Sequence, residues 1–147
     1  MQTVAALSAL VAVAAAVALA RGAETTVDCK IVVNAANPVT TLTRDNIARI
    51  FLRKSTTWPN GRTADPVDQP TNSPSRLAFS KAVLGKAPSE VASYLNQLIF
   101  SGRGVPPVTK ATDAEVLSYV QSNANAIGYV AAEAKVGEGV KVVSLRQ

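Results

Sequence analysis

The side chains that most often carry out chemistry in proteins are scarce in this sequence. It contains no histidine, and Cys29 is its single cysteine. Histidine is the commonest general base, a frequent metal ligand and the usual partner of a serine or cysteine nucleophile. The carboxylates are scattered, so no group of Cys, Asp and Glu has the spacing of a metal site. The sequence therefore argues against an enzyme, and it predicts neither a metal nor another cofactor.

The charged residues favour an anionic partner without identifying one. Fifteen Lys and Arg against ten Asp and Glu give a formal net charge of +5 over 147 residues. Such an excess suits a nucleic acid, a membrane surface or a small oxyanion. The basic residues are spread along the chain, with Arg53-Lys54 as their only adjacent pair. They do not form an aromatic-rich basic patch, so no nucleic-acid partner is predicted. A solvated basic surface remains the alternative to an anion site.

The first twenty residues have the character of an export signal. No charged residue occurs from Val4 to Ala20, and this apolar run ends in Ala18-Leu19-Ala20. Small residues around a larger one are what a signal peptidase accepts. We predict a signal peptide over residues 1–20 and a single mature domain over residues 21–147, located in the periplasm. The alternative is an uncleaved membrane anchor, because about 17–25 apolar residues span a bilayer. In that case this segment would be the chain's contact with the membrane.

The mature part alternates short apolar runs with helical patterns. Strands are predicted where β-branched and apolar residues cluster, at 30–34, 65–69, 126–130 and 140–145. Helices are predicted between these runs, and short connections join them. Alternation of this kind is typical of a layered α/β domain with a mixed or parallel sheet.

Four helices are predicted from their capping residues and from the spacing of apolar residues. Thr43 begins the first, Ser73-Pro74 the second and Pro88 the third. Thr112 and Glu115 form a capping box at the start of the fourth. The predicted inward-facing side chains are Ile47, Ile50, Phe51, Leu77, Val83, Leu84, Val91, Tyr94, Leu95, Leu98, Ile99, Val116, Tyr119 and Val120.

Three stretches, in order along the chain, resemble motifs of the phosphate-type periplasmic solute-binding proteins of ABC transporters. Residues 46–54 and 58–61 resemble the passage IF-x-G-K followed by W-x-D/N-G, with Arg53 where glycine is usual. Residues 72–79 resemble the turn G-S-G-T-R-x-x-F, and residues 125–130 resemble the strand G-A-I-G-Y-V. The resemblance covers about residues 30 to 145. It implies a single three-layer lobe of the type II periplasmic-binding-protein-like fold, a mixed sheet flanked by helices, in a family whose members have two lobes.

The resemblance also implies a ligand and a place for it. In that family an oxyanion such as phosphate lies between the lobes, held by hydroxyls and backbone N–H groups at helix starts. The matching residues here are Asn72, Ser73, Ser75 and Arg76. A helix start suits an anion, because its first N–H groups have no internal partners and the helix dipole favours negative charge.

This sequence departs from the family pattern at two points of the turn. Pro74 replaces the glycine and has no N–H to donate. Gln69, next to Asp68, stands where the family has a ligand-binding arginine. We therefore expect phosphate binding to be weak or lost. From the residues alone, Ser73 is also explained as an ordinary helix cap, and Arg76 as a solvated residue on the first turn of the helix.

Two functions follow from these observations. The first is an exported domain similar to the substrate-binding subunits of ABC transporters, with phosphate or another small oxyanion as its ligand class. The second is a periplasmic interaction module. In that case the exposed inter-lobe face of a lone lobe would dock on another protein or on a second copy of the chain.

Overall fold

The computed structural model describes residues 28–147, so the predicted signal peptide lies outside the described residues. In this part of the chain no helix is both long and apolar enough to cross a membrane. The strands are β1 (Cys29–Asn34), β2 (Thr41–Thr43), β3 (Asp65–Asp68), β4 (Val108–Thr109), β5 (Ala126–Ala131), β6 (Val140–Val142) and β7 (Ser144–Arg146). The helices are α1 (Arg44–Phe51), α2 (Pro74–Phe79), α3 (Pro88–Phe100) and α4 (Asp113–Ser122), and a π-helical segment, Ser80–Leu84, continues α2.

Five of these strands form a mixed sheet in the order β4-β3-β5-β1-β6. The strand β3 runs parallel to β4 and β5, whereas β1 runs antiparallel to β5 and β6. The register places Cys29 opposite Ala131 and Asn34 opposite Val140. The strands β2 and β7 pair with each other in parallel, apart from this sheet.

Two apolar clusters cover the two faces of the sheet. Ile31 and Val33 belong to one cluster and Val32 to the other, as the two-residue period of a strand requires. The first cluster contains buried residues of α1, α2, the π-helical segment and α3. The second contains Val116 and Val120 of α4. Helices therefore lie on both sides of a mixed sheet, and the predicted three-layer α/β architecture is confirmed.

The helix starts follow from local capping chemistry. At α1 the Thr43 hydroxyl accepts from Asn46 N (3.1 Å), and the Asn46 amide oxygen accepts from Thr43 N (3.4 Å). At α4 the Thr112 hydroxyl accepts from Glu115 N (3.2 Å). The Glu115 carboxylate, however, accepts from Ala111 N (2.8 Å). The predicted capping box is therefore wrong in its second half, because the residue before the cap offers the nearer N–H.

Two predicted core positions on the helices are wrong. Leu77 is 51% exposed and Ile99 is 43% exposed. After Phe79 the chain turns into the π-helical segment, which changes the helical phase and places Phe79, Val83 and Leu84 in the core. In the last turn of α3 Leu98 packs against the first cluster, whereas Ile99 and Phe100 are exposed.

The predicted strand over 140–145 divides into two. Val143 is buried and its N–H donates to Ile31 O (2.9 Å). After Val143 the chain leaves the main sheet, and β7 pairs with β2 instead. The short strands β2 and β4 were not predicted, because neither has the length of a β-branched run that a sequence pattern needs.

Candidate functional site

The predicted anion-binding turn lies at the edge of the sheet where β3 ends and α2 begins. A cleft of about 460 Å³ opens there, between this turn, the start of α4 and the end of β5. Asn72, Ser73 and Ser75 line the cleft, together with Gln69 and Asp113. The fold thus brings three of the four predicted site residues together.

The Ser73 hydroxyl has two partners. It accepts from Arg76 N (3.4 Å), so it caps α2 as predicted. It also donates to the Gln69 side-chain oxygen (2.6 Å). Gln69 is buried. Ser73 therefore fixes the side chain that stands where the family resemblance places an arginine.

A carboxylate occupies the centre of the donor groups in the cleft. One oxygen of Asp113 accepts from the Ser75 hydroxyl (2.9 Å) and from Gln69 Nε2 (2.8 Å), and the other accepts from Ala131 N (3.0 Å). Asp113 is the first residue of α4, where the helix dipole stabilises a negative charge. Ser75 is itself buried.

The fourth predicted residue, Arg76, turns away from the cleft. The expectation of a solvated side chain was wrong, because Arg76 is 3% exposed. Its guanidinium forms an ion pair with Asp68, and its Nε donates to the Ser80 hydroxyl (3.1 Å). A buried carboxylate at the end of β3 requires a paired cation. Arg76 meets that requirement from the first turn of α2.

Tyr129 completes the buried polar group around Asp68. Its hydroxyl donates to Asp68, which also accepts from Gln69 N (2.9 Å). Burial, and then the negative charge of Asp68, raise the pKa of Tyr129 above its usual value. Burial alone would lower the pKa of Arg76, but the hydrogen bond and the attraction to Asp68 outweigh it, and the pKa is raised. At neutral pH the group therefore contains a neutral phenol and a guanidinium.

The charge of the cleft is negative. Asp113 and Glu133 are the charged residues among those described as lining it, and no Lys or Arg is among them. Within residues 28–147 no group of three or more Cys, Asp or Glu could hold a metal ion. The local field therefore opposes an anion, although the whole chain is basic.

Asp113 is the residue of this cleft that sequence reasoning missed. Its only local signal is its place at the start of α4, which indicates a helix and nothing more. The contact with Ser75 joins positions 38 residues apart, and it exists because the starts of α2 and α4 meet at one end of the sheet, although the two helices lie on opposite faces. Gln69, which the sequence placed where the family has an arginine, lines the same cleft.

The layers and the cleft define a lobe of the periplasmic-binding-protein type. The sequence model of the PBP superfamily domain matches residues 26–145. The chain therefore belongs to the PBP superfamily. No curated protein matches it.

Solved structures with a similar fold include proteins of phosphate transport. An ABC-type phosphate transport receptor from Vibrio cholerae is 22% identical with a TM-score of 0.61, over 80% of this chain and 46% of that one. A protein from Clostridium perfringens, described as a phosphate ABC transporter substrate-binding protein with bound phosphate, is 26% identical with a TM-score of 0.64, over 80% and 44%. PstS from Borrelia burgdorferi is 14% identical with a TM-score of 0.63, over 82% and 47%. This chain spans less than half the length of each. The family model and these structures together confirm the predicted family resemblance.

Proposed function

We propose that the chain is an exported, periplasmic lobe similar to the substrate-binding subunits of phosphate ABC transporters, in which the protein's own carboxylate occupies the oxyanion position. Phosphate affinity is then weak or lost. The observation that supports this is Asp113, which accepts hydrogen bonds from the Ser75 hydroxyl and from Gln69 Nε2. These are the donors that an oxyanion at the start of α2 would need.

A phosphate ion at this place would meet two obstacles. It would have to displace Asp113 from its donors, and it would then lie beside that carboxylate. Two like charges 4 Å apart repel by about 4 kcal/mol at an effective dielectric constant of about 20, which corresponds to a loss in affinity of about a thousandfold. Arg76 cannot offset this cost, since its guanidinium is paired with Asp68.

Two further arguments support binding or transport over catalysis. The structurally similar proteins from Vibrio cholerae and Clostridium perfringens belong to phosphate transport. The described residues contain no metal cluster, and the sequence has no histidine. Export rests on the apolar segment that ends in Ala18-Leu19-Ala20, and intact mass of the protein recovered from the cell envelope tests it. A mature protein that begins at Arg21 is expected.

The alternative of an interaction module has less support at this face. The exposed large hydrophobic side chains of the described residues are Leu77, Ile99, Phe100, Val105, Val108 and Val142, and none of them lines the cleft. A partner that docked here would therefore rely on polar contacts.

Calorimetric titration with phosphate tests the proposal. We expect no saturable binding to the wild-type protein at millimolar phosphate. Asp113→Ala frees three donors and removes the repelling charge, so phosphate should stabilise this variant against thermal unfolding. Asp45→Ala is the matched control, because it makes the same charge change at an exposed position on the first turn of α1. Submicromolar phosphate binding by the wild type, or an equal gain in the Asp45 variant, would contradict the proposal.

A further inference from the structure

A second cleft lies at the opposite edge of the sheet, where β3 and β5 begin. Its volume is about 390 Å³. Its walls come from Arg53, from Asp65 at the start of β3, from the loop before β4 and from residues 123–125 before β5. The proposed function makes no use of this cleft.

Arg53 holds an unusual backbone conformation at the end of α1. Its N–H donates to Ile50 O (3.1 Å), and Lys54 N donates to Arg49 O (2.8 Å). This pair of bonds is the Schellman motif, which usually has glycine at the position of Arg53. Arg53 has a φ of 58° and is the one non-glycine residue with positive φ in residues 28–147. The left-handed conformation costs free energy for a residue with a side chain, so the end of α1 would be more relaxed with glycine.

One donor of the Arg53 guanidinium lacks a partner. Its Nε is buried and has no hydrogen-bond partner among the described residues. Asp65 lines the same cleft, but it accepts from the Tyr119 hydroxyl and forms no ion pair with Arg53. A buried donor without an acceptor is costly, and a guanidinium cannot lose its charge to avoid that cost. Arg44 also has a buried Nε without a partner, but its φ is negative and it lines none of the clefts described here.

Part of the cleft lining is apolar. It consists of Val105, Pro106, Pro107 and Val108, which carry no side-chain hydrogen-bonding group. The chain just before this part lies close to Arg53, since a Cβ added at Gly104 would lie 4.0 Å from the Cβ of Arg53. The polar side chains of the lining, besides Arg53, are Thr63, Asp65, Asn123 and Asn125. The cleft therefore combines a cation, a hydrocarbon surface and neutral hydrogen-bonding groups, in a volume within the range of about 300–1,000 Å³ that small-molecule sites occupy.

We propose that this cleft binds a small organic monocarboxylate. The Arg53 guanidinium takes the carboxylate through paired N–H donors, a geometry that arginine matches well. The valine and proline wall covers the hydrocarbon part of the ligand. Asp65 adds a negative charge to the cleft, and this repels a doubly charged anion about twice as strongly as a monocarboxylate. The strained backbone is then explained, since glycine would relax the end of α1 but remove the only group that holds the ligand's charge.

The test uses benzoate as the probe, with the protein over its full mature length. The ¹⁵N resonance of the Arg53 Nε–H group should shift and saturate with benzoate. At a benzoate concentration of ten times the Kd, the urea unfolding equilibrium constant should fall about elevenfold. Arg53→Gln keeps part of the side-chain stem and should abolish the stabilisation. Arg44→Gln makes the same charge change elsewhere and should retain it.

Four results would overturn the proposal. Two concern benzoate itself: no saturable shift of the Arg53 resonance in the wild type, or equal stabilisation of Arg53→Gln and wild type against urea. The other two are stabilisation by uncharged benzyl alcohol, or by phosphate at matched ionic strength, that equals the stabilisation by benzoate. Asp113→Ala should leave the benzoate response unchanged. A failure of benzoate binding can therefore be told apart from a failure of the proposal for Asp113 and phosphate.

Discussion

The ion pair between Arg76 and Asp68 allows a quantitative test of how the candidate site is held together. The two side chains are 3% and 10% exposed. Arg76→Met keeps most of the side-chain volume but leaves Asp68 with Gln69 N and the Tyr129 hydroxyl as its donors. Removing one partner of a buried pair costs about 3–5 kcal/mol. Domains of this size are stable by about 5–15 kcal/mol, so this variant should lose a large part of its stability and still fold.

A second variant separates the pair from its surroundings. Asp68→Asn keeps an oxygen that can accept from Gln69 N and Tyr129, but it leaves the Arg76 guanidinium buried without a counter-charge. Because each single variant leaves one charge unpaired, the double variant should be more stable than the sum of the single losses predicts, by about 2 kcal/mol or more.

Urea unfolding at pH 7 measures these free energies through the fluorescence of Trp58, the single tryptophan, which is buried. Arg62→Met is the control, since Arg62 is exposed and its loss should change stability by no more than about 0.5 kcal/mol. The reasoning is refuted if Arg76→Met costs less than about 1 kcal/mol with an unchanged m value, or if the two single losses add.

Three further outcomes are expected. Gly128→Ala should destabilise the fold by about 1–3 kcal/mol, because its Cβ would lie 2.7 and 2.8 Å from two valine methyl groups; a neutral result in urea unfolding would contradict this packing. Ser73→Ala and Ser73→Gly should both cost more than the roughly 1 kcal/mol of a lost cap, because each leaves the buried Gln69 oxygen without its donor; a near-neutral glycine variant would mean that Ser73 only caps. Burial and the charge of Asp28 raise the pKa of Cys29 to about 12, so the folded protein should not react with a thiol reagent at pH 8. The stability gained from the protonated thiol should fade as the pH rises from about 9 towards 12. Rapid labelling of Cys29 without urea would contradict this.

The parts of the fold that could be predicted are those fixed by local chemistry. Thr43 and Ser73 cap their helices as expected. The alternation of strands and helices along the chain also predicted a sheet covered by helices. Leu77 was placed wrongly because the turn from α-helix to π-helix after Phe79 leaves no signal in the apolar spacing.

The sequence pointed to the turn at 72–76, and the structure brings Asn72, Ser73 and Ser75 to one cleft with Gln69. That this cleft is an anion site stays a prediction. What could not be predicted is which polar side chains meet. Arg76 forms its ion pair with Asp68, and the Ser75 hydroxyl donates to Asp113, only once the layers are assembled. Single-sequence patterns describe one element at a time, and these contacts join different elements.

The pairing of β1 has a consequence for the order in which the protein can fold. This strand lies between β5 and β6, so the first strand of the described chain is completed by strands close to its other end. Contacts between distant parts of a sequence close large loops and fold slowly. Until residues 126–142 have left the ribosome, β1 has neither of its neighbouring strands. The sheet that separates the two apolar clusters cannot form before then. Most of the polypeptide must therefore be synthesised before its core can form, and this delay would suit the export proposed above.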